Sequence, residues 1–475
     1  GNLGLTQLGR IEAAISGVQL NTDAIDNSAG VDTSDHEVNI KILLDAIVRA
    51  GDLTEKQRNE TLESMTDDVA QLVLGHNYAQ NVSLGTARTT AAAMAQVHAR
   101  MIRSLEERGV LDRELERLPS PEELEERARN GRGLTSPELA VLMAYAKNML
   151  KASLEEQSLA EQPYFAGELE GYFPAELVSR FGDHIPAHPL ANQIVATTVA
   201  SRLVNFGGLS YVFRMHDETA ANDMQVLRSF TFAMDVFNVK RTLRRIAALD
   251  NQVETSVQSE IYHEVRRLLD RAARWLVLSR SAEVDLTVEV PRYAGTVTKL
   301  YPRIPEFLRG AESRRHTAIV VSLTDRGVPE EFAADAASLL YGFMLLDIAD
   351  VAESTQTSPE DVADLYFCIS ERYDIDTLLT RISSLPRGGR WQALARQALR
   401  SDLYQAMAAL TEQVVLHDGT QGTAAERLDH WEQDNWAEVE RVRHTLTQIS
   451  ELKTHDLSSL SVALRSMRTL IKQAR

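Results

Sequence analysis

Apolar residues recur at three- and four-residue spacing along most of the chain, a period that predicts helix nearly everywhere beyond residue 53. Leu62, Val69, Leu72, Val73 and Leu74 follow this pattern up to Gly75-His76-Asn77-Tyr78, which reads as a helix end. A long helix is predicted over 84–108, with Ala87, Ala91, Ala92, Ala93 and Ala95 allowing close approach of another helix and Gly109 supplying the stop. Residues 113–129 are dense in charge and read as an exposed elbow. Ser120-Pro121-Glu122-Glu123 and Thr135-Ser136-Pro137-Glu138 are helix starts, the second opening a helix over 139–157. The stretch 163–189, richer in Gly, Pro and aromatics, is the expected boundary between helical layers. Further helices are predicted at 192–206, 219–234, 236–249, 257–278, 294–308, 330–351, 361–373, 376–384, 391–416, 424–450 and 457–473. Two short runs alternate instead, 18–22 and 285–291, and are predicted as strands. No fixed repeat of about 20–50 residues is evident, which argues against a solenoid.

The stretch 19–44 has a different texture. Val18, Leu20 and Ile25 frame an extended run, and Asp23, Asp26, Asn27 and Gly30 are turn formers. Thr33, Ser34 and Asp35 offer N-cap oxygens, and Glu37 stands three residues after Ser34 as in a capping box. Val38, Ile40, Ile42, Leu43 and Ile47 then take apolar helical positions. The predicted order is strand, irregular loop, helix. A helix start presents free N–H groups and partial positive charge, which suits a carboxylate or phosphate.

Composition narrows the possible roles. With 44% hydrophobic and 25% charged residues, the 475-residue chain falls in the ordinary folded range and is long enough for two to four domains. A net charge of −18 argues against a nucleic-acid partner. The basic runs at Lys240-Arg241, Arg244-Arg245, Arg266-Arg267, Arg271 and Arg274 read as solvated, ion-paired faces. One cysteine, Cys368, excludes an internal disulfide or a thiolate zinc site and reads as a small core residue. No run of about 18 apolar residues suggests a membrane span, and no export signal is visible, so a cytoplasmic location is expected.

Several strings resemble one family. Asn2-Leu3-Gly4-Leu5-Thr6-Gln7, the run from Asp23 to Lys41, ARNGRGLTSPELAVLMAYAK (residues 128–147), Ala248-Leu249-Asp250-Asn251 and Arg274-Trp275-Leu276 are similar to the large-subunit, NAD-specific glutamate dehydrogenases of bacteria. In the wider superfamily the second of these has the form Asn-Ala-Gly-Gly-Val-x-x-Ser. Here it is Asn27-Ser28-Ala29-Gly30-Val31-Asp32-Thr33-Ser34, with Ala29 where glycine is usual and Asp32 and Thr33 as unusual fillers. The resemblance implies that Ser34 contacts the substrate's side-chain carboxylate and that Gly30 and Val31 shape that pocket. It places Asn2 and Asn27 on the nicotinamide and ribose side of NAD. It also implies L-glutamate and 2-oxoglutarate as substrates and a homo-oligomer. No Gly-x-Gly-x-x-Gly occurs, and the base and lysines of that chemistry have no counterpart. The chain therefore reads as the C-terminal portion of a larger polypeptide, with no catalytic residue of its own and no activity in isolation.

Other candidates are weaker. His36-Glu37 lacks a second histidine four residues on, so a polar cap is expected there and no metal site. His76 and Asn77 read either as packing behind the substrate loop or, equally, as a helix C-cap. Asp23, Asp26, Asp32 and Asp35 lack the glycine and terminal glutamate of an EF-hand and read as loop and capping carboxylates. Trp391, Trp431 and Trp436 read as packing anchors. The expected fold is mainly α: a C-terminal remnant of a Rossmann-type catalytic domain at 1–52, a helical region with the charged elbow at 53–190, and a helical C-terminal domain at 191–475. The alternative function is a helical assembly or regulatory module without catalysis.

Overall fold

The computed structural model describes residues 4–280, 283–386, 389–418, 421–452 and 454–473. Among them there is no β-strand. The helices, in chain order, are α1 (Gln7–Ile15), α2 (Asp23–Asp26), α3 (Ser28–Ala50), α4 (Glu55–Ser64), α5 (Thr66–Thr89), α6 (Ala95–Glu107), α7 (Pro121–Arg129), α8 (Ser136–Glu155), α9 (Pro163–Glu170), α10 (Ala175–Phe181) and α11 (Ala191–Gly207). Then come α12 (Tyr211–Thr219), α13 (Asp223–Val236), α14 (Val239–Ala247), α15 (Thr255–Ser279), α16 (Leu286–Leu300), α17 (Ile304–Phe307), α18 (Gly310–Asp325) and α19 (Glu330–Gly342). The chain continues with α20 (Met344–Thr355), α21 (Pro359–Arg372), α22 (Ile375–Ser384), α23 (Arg390–Asp418), α24 (Ala424–Asp434), α25 (Trp436–Glu451) and α26 (Leu457–Gln473). They form two compact units, Gly1–Phe230 and Thr231–Arg475.

In the first unit α8 packs along α11 and also meets α1 and α5. Leu139, Leu142, Met143, Leu150 and Leu154 of α8 are buried, as are Val195, Ala196, Val199, Leu203 and Val204 of α11. The two proline-led starts behave as their sequence requires. Ser120 accepts from the Glu123 N–H at 3.1 Å. Thr135 forms a capping box with Glu138, whose carboxylate takes the Thr135 N–H at 2.6 Å and the Arg127 guanidinium at 2.9 Å. Glu138 is fully buried, so that arginine offsets a desolvated charge.

In the second unit α19 and α20 meet at a 62° bend and bury Phe332, Leu339, Leu345, Leu346 and Ile348. Around them pack α15, α16, α18, α21 and α23, with α25 and α26 beyond α23. No single described helix is long and apolar enough to cross a membrane. Cys368 is buried, as expected. Arg245 pairs with Asp335 and Glu331, but Arg274 is almost fully buried beside Asp270, so that part of the basic run is core.

Several boundaries differ from the sequence expectation. Residues 18–22 are an irregular loop, and 285–291 start a helix: Asp285 caps the Thr287 N–H at 2.9 Å, and Leu286, Tyr293, Val297 and Leu300 supply a buried helical stripe. The alternation of Leu286, Val288 and Val290 misled because Val288 faces solvent. The helix expected over 84–108 breaks after Thr89, where Thr89 and Thr90 hydroxyls turn back to the Thr86 and Ala87 carbonyls. Gly133 approaches this break so closely that a β-carbon there would lie 2.2 Å from the Ala91 carbonyl carbon. Of the three tryptophans only Trp431 is buried; Trp391 and Trp436 are exposed.

These glycine environments make opposite predictions. Gly133→Ala should lower unfolding free energy by about 2 kcal/mol or more, because backbone cannot yield as a side chain can. Gly75 lies inside α5 with open space around it, so Gly75→Ala should raise stability by about 0.8 kcal/mol. Urea unfolding of the two variants against the parent measures both.

Candidate functional site

Helix α3 begins at Ser28, six residues before the expected start, so Ser34 and Glu37 lie within the helix and form no capping box. Asn27, at the junction with α2, makes no side-chain cap bond. The junction is held instead from α5: Asn77 donates to the Ser28 hydroxyl at 2.9 Å and to the Ile25 carbonyl at 3.4 Å. His76 and Asn77 are therefore mid-helix residues facing α3, not a C-cap. A distant residue satisfies the groups that a local cap would have served, which is why the sequence signal pointed to the wrong turn. Gly51, at φ +90°, ends α3.

Gly30 and Val31 each lie about one helical turn before Ser34 on the exposed face of α3. Asn27 is exposed just before them. Asn2 lies outside the described residues. The opposite face carries Asp32 and His36. Asp32 Oδ2 is 2.8 Å from His76 Nδ1, and Asp32 Oδ1 is 3.8 Å from His36 Nε2. One ligand-type atom from each of Asp32, His36 and His76 falls within 4.8 Å of the others. His36 is fully buried, and neither of its ring nitrogens has a hydrogen-bond partner. Its ring stacks on Tyr172 at 4.2 Å, and the Tyr172 hydroxyl accepts from Asn39 at 2.9 Å. Burial lowers the pKa of His36, with Asp32 opposing, and lifts that of Tyr172 to about 12.

Sequence reasoning weighed His36 only with its neighbours along the chain and took it for a polar cap. The i, i+4 spacing of Asp32 and His36 was a legible signal, but His76 is forty residues further on and on another helix. Asp23 and Asp26 are the first and last residues of the short helix α2 and not loop carboxylates, and their partner was not foreseen: Arg10 bonds to both and to the Asn21 carbonyl at 2.8 Å. Asn21 in turn reaches Asn81 at 2.9 Å and takes the Ser136 hydroxyl at 2.7 Å.

Residues 131–469 match the family described as glutamate dehydrogenase, C-terminal, and residues 1–87 match that described as bacterial NAD-glutamate dehydrogenase, catalytic domain. The chain belongs to the glutamate dehydrogenase family. It is 42% identical over 473 residues to the NAD-specific glutamate dehydrogenase of Mycobacterium tuberculosis, covering 99% of this chain. It is 39% identical over 475 residues to that of Pseudomonas aeruginosa and 38% identical over 467 to that of Halomonas elongata, covering 100% and 98% of this chain. It spans 29% of the length of each of these dehydrogenases. Asp32, His36 and His76 fall in the part that matches the glutamate dehydrogenase catalytic domain, whereas Tyr172 falls in the C-terminal match. The cluster joins the two matched regions.

Lys147, also in the C-terminal match, donates to Gln80 at 3.2 Å. Burial pushes its ammonium down to about 8, with Asp32 opposing. An unfolded lysine titrates near about 10.4, so between pH 8 and there the folded chain holds fewer protons and stability rises with pH. Below pH 8 the burial cost is present in full. Lys147→Met should therefore raise stability at pH 7 by about 1–2 kcal/mol and flatten the rise above pH 8. Urea unfolding at pH 7, 8 and 9.5 measures this.

Proposed function

We propose that the chain is the C-terminal part of an NAD-dependent glutamate dehydrogenase and supplies one wall of its substrate site. The reaction is L-glutamate + NAD⁺ + H₂O → 2-oxoglutarate + NH₄⁺ + NADH + H⁺. The reading is supported above all by the similarity to NAD-specific glutamate dehydrogenases along essentially the whole chain. Ser34 binds the substrate's side-chain carboxylate through its hydroxyl, with Gly30 leaving room and Val31 packing beside it. That Gly30, Val31 and Ser34 share an exposed face accords with this role.

Asn27 and Asn2 orient the nicotinamide and ribose. The described residues hold no strand and no Gly-rich strand-to-helix turn, so they offer no cradle for the cofactor's pyrophosphate. In our proposal that cradle, the general base and the lysines come from the remaining length that the relatives possess. This chain's contribution is then positional: an arrangement of rigid helices that fixes where a carboxylate is held. The enzyme is a cytoplasmic homo-oligomer in this reading.

Two measurements test it. The 475-residue chain alone should form no NADH from glutamate and NAD; turnover by it would overturn the assignment of the base and lysines to other segments. In the longer enzyme, Ser34→Ala should raise KM for glutamate about tenfold or more, the loss of one hydrogen bond to a charged group. Because Ser34 is exposed, thermal stability should not change. Unaltered kcat and KM would remove Ser34 from the site.

A further inference from the structure

We propose that Asp32, His36 and His76 bind a divalent transition-metal ion, best matched by zinc, that clasps α3 to α5. Two imidazole nitrogens and a carboxylate oxygen form a donor set suited to zinc and unsuited to the oxygen-seeking magnesium or calcium. Donor atoms around a tetrahedral zinc lie about 3.3 Å apart, given metal–ligand distances of about 2.0–2.1 Å. The Asp32 carboxylate lies between the two rings, its Oδ2 2.8 Å from His76 Nδ1 and its Oδ1 3.8 Å from His36 Nε2, and one donor atom from each of the three residues falls within 4.8 Å of the others.

The second observation is the state of His36. It is a fully buried imidazole with both ring nitrogens unpartnered, and native proteins rarely leave such groups unsatisfied. Ligation through Nε2 would satisfy one of them. Its ring is already held in place by stacking on Tyr172, whose hydroxyl is fixed by Asn39. His76 is half-exposed, which gives an ion a path in and leaves room for water at a fourth position. Lys147, still mostly protonated at pH 7, opposes the added charge, and burial lowers the cost of releasing its proton when an ion binds. The inference rests on the first unit's geometry and is independent of the dehydrogenase reading.

The test uses the purified 475-residue chain dialysed against zinc sulfate, then freed of loose metal and analysed by inductively coupled plasma mass spectrometry. The expected result is about one zinc per chain, with affinity at least about tenfold lower in His76→Ala and in Asp32→Asn and unchanged in His444→Ala, an exposed control. Zinc should raise the melting temperature of the parent and not of His76→Ala. Cobalt should give visible bands of a four- or five-coordinate site in the parent only. Since His76 is half-exposed, its variant should fold, as circular dichroism would verify. No retained zinc in the parent, or equal stoichiometry and affinity in His76→Ala, would overturn the proposal and leave an Asp32–His76 hydrogen bond.

Discussion

The first unit depends on how helix α3 divides its length. Its C-terminal half buries Ile40, Leu43, Leu44 and Ile47, each worth about 1.5–3 kcal/mol when removed from water. Its N-terminal half has no such apolar stripe. There the helix is secured by polar contacts with α5, through Asn77 at the junction and His76 at Asp32. The apolar half fixes the axis, and polar contacts hold the other half to α5. A helix greasy along its whole length could not present Gly30, Val31 and Ser34 outward and a histidine cluster inward.

The second unit has the opposite character. Its polar side chains are drawn into the core and consumed there. Trp275 donates to Asp347 at 2.8 Å, and Arg280 engages Asp350 at 2.6 Å while packing over the Trp275 and Tyr293 rings. Burial raises the pKa of Asp347 to about 7 and that of Glu312, bonded to Ser370 at 2.9 Å, likewise to about 7. Each carboxyl is bonded through one oxygen, while Asp347 Oδ2 and Glu312 Oε2 are buried without a hydrogen-bond partner.

What was legible in the sequence follows the range of the forces involved. Helices with local punctuation were read well: Ser120-Pro121 and Thr135-Ser136-Pro137 cap themselves, and their starts fall where the residues place them. Boundaries set by tertiary contact were not. Ser34 has every local mark of a cap, yet the helix starts at Ser28 because Asn77, far along the chain, holds the junction there. The alternation at 285–291 looked like a strand because solvent exposure of Val288 is invisible until Tyr293 and Val297 are seen to be buried beside Leu286. The same limit hid the site's inner half, since Asp32, His36 and His76 converge only when α3 and α5 are side by side.

The geometry of α3 also links its two faces. At about 100° of turn per residue, Gly30, Val31 and Ser34 cluster on one side and Asp32 and His36 lie roughly opposite. A helix cannot rotate about its axis at one end alone while Ile40, Leu43, Leu44 and Ile47 are locked in a close-packed core. Whatever fixes the inner face therefore fixes the direction in which Ser34 points. The inner face is held by Tyr172 from the region that matches the C-terminal family, while Ser34 belongs to the region that matches the catalytic domain. The helical C-terminal region thus reaches α3 through Tyr172, which stacks on His36 and takes a hydrogen bond from Asn39, and through His188, whose Nε2 lies 3.1 Å from the Asn39 carbonyl oxygen. The stack requires that ring to stay buried, so the orientation of the outer face depends on a residue that never touches it.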